Sequence, residues 1–272
     1  TELGVEIRTD AKVIKIGDDS AGKTIQIESG EVFHSEFVAA NCAPQVLAKI
    51  LGRPAPQYVK GSQLKVNMLL KKLPRLKSGA NPVSAFAGTF HINESYAQCE
   101  TAYQEAAAGK IPTVIPAEMY CHTLTDNSIL SDDLNKAGYQ TLTLFAIHTP
   151  ASLFDHDNEG VKAKMLSQIF YQLNQYLLDP IEECLAVSAN GALCIEVKSP
   201  QDLEKDVSLP GGNIFHMDLQ FPFSEAAEIT LTNRWGVETD DKQIFICGAG
   251  AIRGGGVSGI GGHNAAMAIL GK

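Results

Sequence analysis

Nine of the chain's 24 glycines fall between Gly248 and Gly271, and most of them separate one strand-like run from one helix-like run. Gln243-Ile244-Phe245-Ile246-Cys247 reads as a buried strand, and His263 to Leu270 reads as a closing helix. Between them stands Gly248-Ala249-Gly250-Ala251-Ile252-Arg253-Gly254-Gly255-Gly256-Val257-Ser258-Gly259-Ile260-Gly261-Gly262. Glycine has no Cβ to hold a neighbour away, and a helix start presents unpaired N–H groups with partial positive charge. Two readings follow. The amides could face an anion or cofactor, which is the favoured one, or the turn could simply let the helix pack closely on the strand.

A dinucleotide fingerprint does not fit. After Gly248 and Gly250 the third glycine of G-x-G-x-x-G falls one position late, at Gly254, and only 18 residues follow it. Gly256-Val257-Ser258-Gly259-Ile260 also misses the G-x-S-x-G spacing of a nucleophile elbow.

The 272 residues are 44% hydrophobic and 19% charged, which suits a globular protein with a real core. A net charge of -9 argues against general affinity for nucleic acid. No apolar run approaches the roughly 20 residues of a membrane span. The six cysteines show no paired spacing and read as thiols in a reducing, cytoplasmic setting. No metal site is expected, because Cys121 and His122 would point to opposite faces of a strand. The chain starts at Thr1 rather than Met and is expected to begin within a longer protein.

Periodicity gives a sheet-rich opening, a mixed middle and the glycine-dense end. Strands are expected at Val5–Arg8, Lys12–Ile16, Lys23–Glu28, Val32–Phe33 and Phe37–Ala40, then a short helix from Pro44. Further strands fall at Leu64–Leu70, Met119–Leu124, Tyr139–Ile147 and Leu193–Lys198, with a helix over 95–109 ended by Gly109. The longest helix is expected over Glu159–Leu178, with Leu166, Ile169, Phe170, Leu173 and Leu177 on one face. Asp179 with Pro180 and Glu182 reads as a capping box, and Ser199-Pro200 repeats the cap-then-proline signal.

The terminal pattern, strand then Gly248-Ala249-Gly250 then Gly254 to Gly259 then Gly262 and Asn264-Ala265-Ala266, resembles the C-terminal signature of phytoene-desaturase-like and amine-oxidase-like flavoproteins. Leu209-Pro210-Gly211-Gly212-Asn213-Ile214-Phe215-His216, Ser199 to Glu204 and Ala87 to Ile92 are similar to blocks of one subgroup, that of pyridine nucleotide-disulphide oxidoreductase domain-containing protein 2. The resemblance covers essentially the whole chain. It departs from the family at Ala251-Ile252-Arg253, where Thr-His-Pro is usual, and at His263, where Arg is usual.

The resemblance implies an α/β protein (α+β in this chain). Residues 1–60 and 236–272 would be parts of an FAD-binding Rossmann-like domain, without its N-terminal dinucleotide motif. Residues 61–235 would form a substrate domain with a mixed sheet and helices. It implies FAD contacts at Val13, Asn41, Gly248, Ala249, Gly250, Gly255, Gly256, Val257, Ser258, Gly259 and Asn264. The activity implied is oxidation or desaturation of a largely apolar substrate, isoprenoid- or amine-like, by hydride transfer to flavin. His216 and His91 are the polar candidates for the substrate pocket, and no catalytic residue is assigned. With the dinucleotide motif absent, FAD binding by this chain alone is expected to be weak or nil. Peripheral membrane association stays open, as does the oligomeric state. The competing reading is a non-catalytic lipid- or isoprenoid-binding domain that has lost the cofactor.

Overall fold

A computed structural model describes residues 2–218, 225–230, 233–252 and 258–271. In chain order its strands are β1 (Val13–Asp18), β2 (Lys23–Ile27), β3 (Val32–Ser35), β4 (Val38–Ala40), β5 (Gln63–Leu70), β6 (Phe90–Ile92), β7 (Ala117–Tyr120), β8 (Gln140–Ile147), β9 (Ile195–Lys198) and β10 (Ile244–Ile246). The helices are α1 (Pro44–Ile50), α2 (Pro82–Phe86), α3 (Tyr96–Ala107), α4 (Asp132–Lys136), α5 (Asn158–Leu173), α6 (Ile181–Cys184), α7 (Pro200–Val207) and α8 (Ile260–Ile269). The composition is α+β. The chain divides into two units, 1–59 with 208–272 and 60–207, so 208–235 clusters with the terminal segments rather than with the middle. No helix among the described residues is long and apolar enough to cross a membrane.

In the first unit β1, β2 and β3 form an antiparallel meander, turned at 18–22 as the glycine and aspartates there predict. The expected strand at Val5–Arg8 does not form. Ile7 is 73% exposed, and Arg8 is held locally by Glu6, Glu31 and the ring of Phe33, so nothing draws the segment into a sheet. Separately, β4 and β10 pair in parallel, Val38 with Ile244 and Ala40 with Ile246. Side chains alternate along a strand, so β10 serves two cores. Ile244 packs with Ile16, Ala40 and Leu47 of α1, while Phe245 packs with Val237, Ala251 and Ala265 of α8. Lys23, only 4% exposed, binds Asp18 and Asp241 and so pins the meander to the turn before β10.

The second unit is a five-stranded sheet in the order β6-β7-β8-β5-β9. All four of its pairings are antiparallel, where the sequence led to a mixed sheet. Leu64, Val66, Met68 and Leu70 of β5 and Leu142, Leu144 and Ala146 of β8 face inward against Met165, Ile169 and Leu173 of α5. Each such large side chain contributes roughly 1.5–3 kcal/mol on burial. The alternate residues, among them Lys65, Asn67 and Thr143, line an open face, as expected of an antiparallel sheet covered on one side.

Two sequence readings fail here for tertiary reasons. The long helix stops at Leu173 rather than Leu178, because Leu177 leaves it to bridge Leu76. Asp179 does not cap α6; it accepts from the Arg75 backbone and guanidinium and lies beside Lys72. The Ser199 signal holds: Asp202 accepts from the Ser199 amide, and Ser199 Oγ accepts from the Asp202 amide. Asp202 also binds Lys162 and Asn158, tying α7 to α5.

Candidate functional site at the ends of a parallel strand pair

Ligands of open α/β sheets sit outside the carboxyl ends of parallel strands, so the ends of β4 and β10 define the place to look in the first unit. The Cys247 amide donates to the Ala40 carbonyl at 2.9 Å, which brings the two exits side by side. Beyond that point the loops 41–43 and 247–250 press together. A Cβ on Gly248 would run into the Asn41 side-chain oxygen and lie 2.8 Å from the Asn41 carbonyl. One on Gly250 would lie 2.6 Å from Pro44 Cδ. One on Gly261 would lie 2.9 Å from the Cys247 carbonyl oxygen. These three glycines are therefore demanded by the chain's own packing, which is the second of the two sequence readings.

The other expected cofactor residues are distributed as follows. Val13, half-buried at the start of β1, and exposed Asn41 line one hollow of about 710 Å³ together with Ala39, Cys42, Leu47 and Ile50. Ala249 is half-buried between the two constrained glycines. Gly259 caps α8 at φ +73°, a left-handed geometry that glycine adopts without strain, and Ser258 Oγ accepts from the Ile260 amide at 3.3 Å. Asn264 is buried, and its side chain donates to the Trp235 carbonyl at 3.0 Å, so it holds α8 to the loop before β10. Gly255, Gly256 and Val257, with Arg253, lie outside the described residues.

His216 joins this place and His91 does not; they belong to different units. His216 has φ +63°, a strained backbone for a residue with a side chain. Its carbonyl accepts from Gln45 Nε2 at 3.1 Å, and its Cβ lies 3.7 Å from where a Gly250 Cβ would be. Burial pushes its imidazole below the ordinary histidine pKa, which favours the neutral form. Its Nδ1 is buried without a hydrogen-bond partner among the described residues, and so is Oε1 of Gln45. Buried polar atoms are nearly always paired, so two orphans linked through one hydrogen bond mark a spot short of a polar partner. Gln45 was not singled out in the sequence. The only signal it offers there is its position just after the proline that opens a helix following a strand.

FAD is the group the family resemblance implies, and the hollow beside Asn41 tests its fit. Its lining offers an apolar wall from Val13, Ala39, Leu47 and Ile50 and the polar side chain of Asn41, which suits part of such a group. His216 and Gln45 do not line it, and their orphaned atoms are enclosed by the protein. The constrained glycines neither add to nor subtract from this, since packing already explains them.

No family model matches the chain. It is 44% identical to uncharacterized proteins of Mycobacterium bovis and Mycobacterium tuberculosis, over 98% of its own length and 51% of theirs. It is 28% identical to pyridine nucleotide-disulfide oxidoreductase domain-containing protein 2 of Rattus norvegicus, over 99% of its length and 48% of that protein's. The chain thus spans about half the length of the curated relatives it matches. Among solved structures, a peptidyl tryptophan dihydroxylase essential for tryptophylquinone cofactor biogenesis overlaps 70% of the chain and 31% of its own. Identity there is 11% and the TM-score 0.30, too slight a likeness to define the fold.

Proposed function

We propose that this chain is the C-terminal part of an FAD-dependent oxidoreductase. The observation that carries the reading is the hollow of about 710 Å³ lined by Val13 and Asn41 at the end of β4, beside its parallel partner β10. The name borne by the rat relative, an oxidoreductase-domain protein aligned along almost the whole chain, supports it. When bound, the flavin would supply the acceptor for a hydride taken from a C–H bond.

The chain's own residues would bind and orient. Asn41, the Val13 backbone and the Gly248–Gly250 turn would hold the cofactor, with Ser258 and Gly259 at the start of α8. The aliphatic side chains of the 710 Å³ hollow would exclude water from it. A neutral His216 can take one hydrogen bond at Nδ1 without carrying charge into the site. In the second unit, the open sheet face holds a hollow of about 620 Å³ lined by Lys65, Asn67, Thr143, Phe145 and Glu196. With Met68, Leu69, Ile129 and Ile195 also in its lining, it suits a substrate with an apolar body and a polar group.

The test is a visible spectrum of the purified full-length gene product beside that of this chain alone. Flavin bands are expected in the first and weak or none in the second. A colourless full-length protein that ignores added FAD would overturn the proposal.

A further inference from the structure

On the open face of the second unit, three groups with metal-ligating atoms come together from two strands and a turn. His91 of β6 stands directly opposite Glu118 of β7 in the antiparallel register. Phe90 and Ile92 on one strand, and Ala117 and Met119 on the other, pack against or within the core, so the period of two sends His91 and Glu118 to the outer side. Glu94 is returned to them by Asn93, which takes φ +60° and is fixed there by donating to the Ile115 carbonyl at 3.1 Å and to Gln172 Oε1 at 2.8 Å. Directly afterwards the Ser95–Gln98 capping box locks the start of α3.

The imidazole and the two carboxylates each offer an atom within 4.8 Å of the others, and His91 Nδ1 is 2.5 Å from Glu94 Oε2. Among the described residues neither glutamate forms an ion pair with a lysine or arginine, so the cluster carries two carboxylates against one imidazole. Tyr120, two residues further along β7, stands on the same side of the strand as Glu118. His91 is about half exposed, which leaves the remaining coordination positions open to water.

We propose that His91, Glu94 and Glu118 form a binding site for a first-row divalent transition metal. One nitrogen and two carboxylates from separate elements suit Zn²⁺ or Mn²⁺, whereas Mg²⁺ and Ca²⁺ favour oxygen ligands throughout. The sequence reading expected no metal site because it weighed the adjacent Cys121 and His122; these three ligands meet only through the β6–β7 register.

The test is calorimetric titration of the chelator-treated chain with ZnCl₂ and separately with MgCl₂, on the wild type and on Glu118→Gln, Glu94→Gln and His91→Ala. One equivalent of Zn²⁺ is expected to bind with no response to Mg²⁺. Each substitution should weaken it by about tenfold or more, with circular dichroism unchanged. The conservative Glu→Gln changes keep the comparison valid should His91→Ala fold poorly. Absence of Zn²⁺ binding, or binding that all three variants leave intact, would overturn the site.

Discussion

Gly261 and Gly262 are neighbours in the first turn of α8, and alanine at the two positions should move stability in opposite directions. A Cβ on Gly261 would lie 2.9 Å from the Cys247 oxygen, 3.0 Å from the Gly248 oxygen and 3.1 Å from the Cys247 carbonyl carbon. All three are backbone atoms at the end of β10, which cannot swing aside as a side chain could. The helix must lift by several tenths of an ångström, and overpacking of this kind costs about 1–3 kcal/mol. Alanine returns up to about 1 kcal/mol of helix propensity. Gly261→Ala should therefore lose about 1–2 kcal/mol. Gly262 is exposed, and among the described residues a Cβ there would meet only the Cys247 oxygen at 4.0 Å, so Gly262→Ala should gain up to about 1 kcal/mol. The chain's single tryptophan reports the outcome: Trp235 packs in the cluster with Phe245 and Ala265, and its carbonyl accepts from Asn264 of α8. Urea unfolding followed by its fluorescence should place the two midpoints roughly 1 M apart, taking an m-value of about 2–3 kcal/mol/M. Equal midpoints, or shifts of the same sign, would refute the packing of α8 against the end of β10.

Asp202→Asn removes the more buried of the two carboxylates that pair with Lys162, whose side chain is 11% exposed. Burial acts to raise the Asp202 pKa, but Lys162, the Ser199 amide and Asn158 outweigh it and bring the group from 3.8 down to about 2. At about 1.4 kcal/mol for each tenfold change in proton affinity, this carboxylate contributes roughly 2 kcal/mol, in full above about pH 4 and lost as pH falls through 2. The wild type should exceed Asp202→Asn by that amount in urea unfolding at pH 7, and the gap should close by pH 2; a gap independent of pH would refute the assignment. In the full-length protein, Gly262→Ala should lower flavin content while raising stability, whereas undiminished flavin content would show that nothing approaches that residue.

Much of the fold was legible because local chemistry and tertiary context agree. The strand run of β5, the alternation of β8, the stop at Gly109 and the Ser199–Asp202 cap are all local, and all hold. The failures are places where a distant partner wins. Asp179 has a good capping position, but the Arg75 guanidinium offers it a bidentate ion pair, where a cap would offer only uncharged amide donors. Val5 to Arg8 has strand propensity, but Arg8 is taken up by Glu6, Glu31 and the Phe33 ring and the segment forms no strand. At the site, Asn41 and the glycine turn could each be picked out by eye. That they touch depends on the parallel register of β4 with β10, which no short-range pattern encodes.

The glycine density that opened the reading has more than one cause, and the positions separate them. Gly248, Gly250 and Gly261 lack a Cβ because the chain itself occupies that space. Gly259 lacks one because its backbone is left-handed. Among the described residues Gly262 has neither reason: its φ is not left-handed and the nearest atom to its missing Cβ is the Cys247 oxygen at 4.0 Å, while glycine within a helix costs up to about 1 kcal/mol relative to alanine. It is exposed, so its backbone can be approached from solvent. Most of the glycine density at this end of the sheet is thus required by the fold itself, and Gly262 is the position at which flavin content and stability can be moved apart.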